Sequence, residues 1–92
     1  MKLYKLPYDL ATQEAECKQW ICDLVEDTYS LVSEPFALTF EDEDSRRLTV
    51  MYGPMAIGWI TDGGFMFGVI FDAVATGSMP HVTINDLVRG MR

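Results

Sequence analysis

The sequence predicts an α+β domain: a long N-terminal helix packed on a four-stranded antiparallel meander, closed by a short C-terminal helix. Two observations carry this. Between residues 12 and 33, apolar side chains recur at the i, i+3, i+4 spacing of one helical face. From Phe36 to Phe71 period-two alternation takes over, cut into segments by turn-forming residues. At 92 residues, 49% hydrophobic and 23% charged, the composition is that of a globular chain, and residues 1–92 are expected to form a single domain with one modest core.

Residues 1–8 place Leu3, Tyr4, Leu6 and Tyr8 beside two lysines. Pro7 cannot donate to a sheet ladder, so this segment reads as a short edge strand or an arm laid on the core. In the helix over 12–33 the apolar stripe is Cys17, Trp20, Ile21, Leu24, Val25, Thr28, Leu31 and Val32, with Trp20, Leu24 and Leu31 expected to be buried. Thr12 is the expected N-cap, with Gln13 and Glu14 in the first turn, where negative charge suits the helix dipole. Glu14 and Lys18 stand four apart in the favourable order. Pro35 stops the helix and forces Glu34 out of helical angles.

Phe36-Ala37-Leu38-Thr39-Phe40 and Leu48-Thr49-Val50-Met51-Tyr52 alternate and predict a hairpin. Phe36, Leu38 and Phe40 would face inward on one strand, and Leu48, Val50 and Tyr52 on the other. The polar run between them, Glu41 to Arg47, would form the tip. Gly53-Pro54 ends the second strand. Met55–Ile60 forms a third, with Ile57 and Trp59 in alternation. Asp62-Gly63 predicts a type I′ turn, whose two central residues take positive φ. Residues 65–71 alternate and are read as a strand; a helix over 65–76 is the competitor, because Ala73, Val74 and Ala75 extend the apolar run. After Gly77-Ser78-Met79-Pro80, Thr83-Ile84-Asn85-Asp86 matches a helix start, with Leu87, Val88 and Met91 apolar and Gly90 as the end signal. One helix covers one face of a sheet. The other face would carry Ala37, Thr39, Thr49, Met51, Met66 and Ile70, a Met-rich surface suited to a homodimer or a partner.

Acidic residues outnumber basic ones 14 to 7, for a net charge of −7. The seven bases, Lys2, Lys5, Lys18, Arg46, Arg47, Arg89 and Arg92, are scattered. This excludes direct nucleic-acid binding, which rests on Lys and Arg neutralising phosphates, and disfavours an anionic membrane surface. The longest apolar run, Phe65 to Phe71, is far short of the ~20 residues of a membrane span, and no signal peptide is visible. Cys17 and Cys22 are the only cysteines. On one helix they diverge by about 140° and read as reduced thiols, so the protein is expected in the cytoplasm.

Motifs for chemistry are missing. His81 is the only histidine, and a metal set of Cys17, Cys22 and His81, or a Cys22–His81 nucleophilic pair, has no supporting spacing. No serine stands in a Gly-x-Ser-x-Gly elbow, and Gly58, Gly63, Gly64 and Gly68 match no phosphate-binding loop. Glu41-Asp42-Glu43-Asp44 lacks the glycine and distal glutamate of a calcium loop. No catalytic residue, metal or cofactor is assigned, and the expectation is a non-enzymatic interaction protein.

Its partner-binding residues would be Glu41, Asp42, Glu43 and Asp44, with Asp23, Glu26 and Asp27 on the helix. Clustered carboxylates mimic the charge density of nucleic acid and would engage a protein with a basic surface. In size and charge the chain resembles small acidic inhibitors of phages and mobile elements, anti-CRISPR proteins among them. That likeness is one of type and transfers no residue. It implies an inhibitor that covers a basic nucleic-acid-binding surface. The alternative is a homo-oligomeric assembly or accessory subunit using the apolar, Met-rich sheet face. The acidity would otherwise serve solubility alone.

Overall fold

The first long element is the helix α1, Glu14–Tyr29, in a computed structural model that describes residues 2–30, 34–44 and 47–77. It starts two residues later than the sequence predicts. Gln13 is the N-cap and its side chain caps nothing; the start is organised by Asp9 instead. The Asp9 carboxylate accepts from the Ala11 N–H (3.1 Å) and the Thr12 hydroxyl (3.2 Å), and Gln13 Oε1 accepts in return from the Asp9 N–H (3.2 Å). Thr12 is thus a donor to a preceding turn rather than the cap. α1 ends three residues after Glu26, where Ser30 takes left-handed angles (φ 58°, ψ 35°) and donates to the Glu26 carbonyl. A serine performs the task usually given to glycine, so the stop is invisible in the sequence. Leu31 and Val32 lie outside the described residues.

Pro35, with its φ fixed, opens a 3-10 turn over Pro35–Ala37. Phe36 therefore projects into solvent, 85% exposed, rather than facing inward, and alternation begins only at Leu38. Four strands follow: β1 (Leu38–Asp44), β2 (Arg47–Tyr52), β3 (Met55–Thr61) and β4 (Gly64–Phe67). They pair antiparallel in the order β1-β2-β3-β4, the expected meander. The acidic run is not a hairpin tip. Glu41, Asp42 and Asp44 pair with Thr49, Leu48 and Arg47, so the run forms the second half of β1, with a bulge between Asp42 and Asp44. Carboxylates have poor strand propensity, but an edge strand tolerates them, and the Leu38↔Tyr52 and Phe40↔Val50 pairs carry the register onward.

In β3 the register shifts between Val50 and Met51, whose partners are Gly58 and Ala56. Ile57 is the extra residue of a bulge, and parity changes there. Met55 and Ile57 are buried before it and Gly58 and Ile60 after it, leaving Trp59 half-buried on the opposite face. In the β3–β4 turn, Asp62 and Gly63 do not take positive φ; Gly64 does, at 131°, so the turn is not type I′. Its conformation lets the N-terminal arm come close. Tyr4 and Phe65 exchange two backbone hydrogen bonds of 2.7 Å, and a Cβ on Gly64 would collide with the Tyr4 carbonyl oxygen. The arm is therefore both of the things expected of it, a single bridge on β4's edge and a cover for the core.

The strand expected over 65–71 ends at Phe67, and from Val69 the chain is helical. Gly68 divides them: its N–H donates to the Ile57 carbonyl (2.9 Å), and its own carbonyl accepts from Asp72 (2.9 Å). The helix α2 spans Val69–Ala75 and is the short second helix of the fold. The helix expected from Thr83 onward lies outside the described residues.

The core lies between α1 and one face of the sheet. Ile21, Cys22 and Val25 meet Leu38, Val50, Met55, Ile57, Ile60, Phe65, Phe67 and Phe71. Trp20 and Leu24, expected to be buried, are half-buried and pack on its margin, because the contact stripe is rotated toward Cys17 and Cys22. Thr39, Thr49, Met51 and Met66 do lie on the second face; Ala37 sits in the 3-10 turn and Ile70 in α2.

Candidate functional site

Strand geometry distributes the acidic residues of β1. Successive side chains point to opposite faces. Glu41 joins Thr49, Trp59 and Met66 on the outer face, whereas Asp42 follows the inner parity of Leu38 and Phe40. Both are exposed. Glu43 and Asp44 continue the strand backbone. Glu41 and Asp42 thus put charge on opposite faces of an edge strand.

Asp23, Glu26 and Asp27 are exposed along the second half of α1. Lys18 lies with its ammonium 5.7 Å from the Phe40 ring centroid, which sets the first half of α1 beside β1. Tyr29 packs against Phe67 and Phe71, which sets the end of α1 beside β4 and α2. The helix thus runs from β1 toward β4 and α2, with its later carboxylates on its exposed side. Among the described residues the ion pair is Lys18–Glu14, at 3.7 Å and solvent-exposed on the glutamate side. It stabilises the helix by roughly 0.3–0.5 kcal/mol and neutralises little of the surface.

The interior offers no charged machinery: no polar or charged residue is buried among the described residues, and no group of three or more metal-ligating side chains converges there. Cys17 and Cys22 are buried and not in a disulfide. Burial pushes the Cys17 thiol above its ordinary value, and Glu16, Asp9 and Glu14 add to the shift, which opposes thiolate formation. His81 lies outside the described residues. No helix among the described residues is long and apolar enough to cross a membrane.

A feature without a sequence signal lies at the end of α1. A cavity of about 430 Å³ is lined by Tyr4, Tyr29, Phe67, Val69, Asp72, Lys2 and Thr28. Tyr4 and Tyr29 each stand nearly perpendicular to Phe67, at 78° and 74°, with centroids 5.9 and 5.0 Å from it. The Tyr29 hydroxyl donates to Asp72 Oδ1 at 2.6 Å. Burial and that hydrogen bond raise the Tyr29 phenol well above the ordinary tyrosine value, so it remains a donor. The lining comes from the arm, α1, β4 and α2, and no spacing pattern links residues from four separate segments.

No protein-family model matches the chain, and neither a curated protein nor a solved structure matches it.

Proposed function

We propose that this is a non-enzymatic interaction protein that engages the basic surface of a partner protein through its acidic edge strand and the exposed carboxylates of α1, acting in the cytoplasm as an inhibitor of nucleic-acid binding, in the manner of small phage or mobile-element proteins such as anti-CRISPRs. The observation that carries the reading is the acidic half of β1. Glu41 and Asp42 are exposed on a terminal strand of the sheet, with Glu43 and Asp44 continuing it. Asp23, Glu26 and Asp27 are exposed on α1 and would form a second, separate acidic contact. Charges placed this way steer association and set specificity more than they stabilise the fold.

The test is DNA retention by RNA-guided nucleases in a mobility-shift assay. The wild-type protein is expected to displace DNA, less so as salt rises. The combined change Glu41→Gln, Asp42→Asn, Glu43→Gln and Asp44→Asn should abolish this while leaving the melting temperature nearly unchanged. Met51 and Met66 are both half-buried on the outer sheet face and favour a second reading, a homo-oligomeric or accessory subunit. Full activity of the quadruple variant, together with loss on changing Met51 or Met66, would replace the first reading with the second.

A further inference from the structure

We propose that the cavity at the end of α1 is a receptor for an alkylammonium group, the side chain of a lysine presented by the partner. Three aromatic rings, Tyr4, Tyr29 and Phe67, line it, two of them nearly perpendicular to the third. Aromatic faces attract cations through their quadrupoles, most strongly where water is displaced. Asp72 supplies a carboxylate at the wall, held in place by the Tyr29 hydroxyl at 2.6 Å. A second, independent observation identifies the cation. The chain's own Lys2 lines the cavity and carries its ammonium 4.9 Å from the Tyr4 ring centroid. Lys2 shows that the Tyr4 ring accepts an alkylammonium, and at the cavity wall it would compete with an incoming one. Phe67 is buried and fixed by Phe65, Phe71 and Tyr29, so the site is built before any ligand arrives.

The inference deepens the interaction reading and rests on it for the owner of the lysine, but not for the chemistry of the cavity. The probe is Nα-acetyl-lysine methylamide, titrated into the full chain and followed by backbone amide shifts, with the Nζ-acetylated compound as the uncharged control. Shifts should concentrate at Tyr4, Thr28, Tyr29, Phe67, Val69 and Asp72 and be absent with the control. Lys2→Ala should tighten binding, and Asp72→Asn should weaken it roughly threefold to tenfold, with amide spectra otherwise intact. Equal shifts from both compounds, or lysine-dependent shifts confined to β1 and the exposed face of α1, would overturn the proposal. The titration contains no partner protein. A failed cavity therefore leaves the acidic-strand reading standing, and a failed displacement assay leaves the cavity result standing.

Discussion

The Tyr29 hydroxyl donates a 2.6 Å hydrogen bond to Asp72 Oδ1, joining the last turn of α1 to α2 across 43 residues of sequence. The same ring packs edge-on against Phe67 and Phe71, so one side chain links both helices to β4. Tyr29→Phe retains the packing and removes the hydrogen bond. It should cost about 1 kcal/mol in urea denaturation at neutral pH.

The same bond sets an alkaline limit. The Tyr29 phenol is raised in the folded protein above its ordinary value of 10.0, so its contribution is complete below that pH. Above it the unfolded chain loses a proton that the folded chain retains, and stability falls as pH rises. Wild type should lose stability more steeply than Tyr29→Phe above pH 10, as read by denaturation at a series of alkaline pH values. Parallel curves would show that Tyr29 titrates freely.

Rotation of the α1 stripe separates two residues that sequence periodicity treats alike. Ile21 has no exposed surface, whereas Leu24 is half-buried. Ile21→Ala should cost ~2–5 kcal/mol and Leu24→Ala about 1–2 kcal/mol. Equal losses would place both in the core.

Gly64 holds the arm against β4. Gly64→Ala combines an unfavourable φ with a collision at the Tyr4 carbonyl, and should destabilise by roughly 1–3 kcal/mol while exposing the bridge. Amide exchange at Phe65, whose N–H donates to Tyr4, reads this directly. Unchanged protection would mean that the arm adapts.

The cysteines should be silent in the native state. Both are buried, and neither Cys17 nor Cys22 should react with a thiol reagent until the protein unfolds, when two equivalents should appear. The raised Cys17 value again places its stabilising contribution below the ordinary 9.0, to be lost as pH rises. Fast labelling of one thiol at neutral pH would show local opening of α1.

Hydrophobic period identified α1, the order of four strands and the inner residues of β2, because each is a local pattern repeated over several residues. The misreadings fall where a single residue sets the geometry. Ser30 ends a helix without glycine, Ile57 reverses the parity of β3, and Pro35 begins a turn where alternation had pointed to a strand. The acidic run was legible as a feature but not as strand, since carboxylates acquire that conformation from pairing with β2 rather than from their own preference. The cavity at Tyr29 and Asp72 was not legible at all, because tertiary packing assembles it from four segments.

The meander order orders events in time. Each strand pairs only with its sequence neighbour, so hairpins over Gly53-Pro54 and Asp62-Gly63 close within microseconds, as short hairpins do. α1, by contrast, leaves the ribosome before the strands and waits. Its apolar stripe finds Phe65, Phe67 and Phe71 only once the later half of the chain has emerged, and the Tyr4–Phe65 bridge must wait for the same segment. During synthesis the α1 segment is thus without most of the sheet that stabilises it, and a helix of 16 residues is marginal alone. The interval over which Ile21 and Val25 remain uncovered depends on translation speed rather than on intrinsic folding rate.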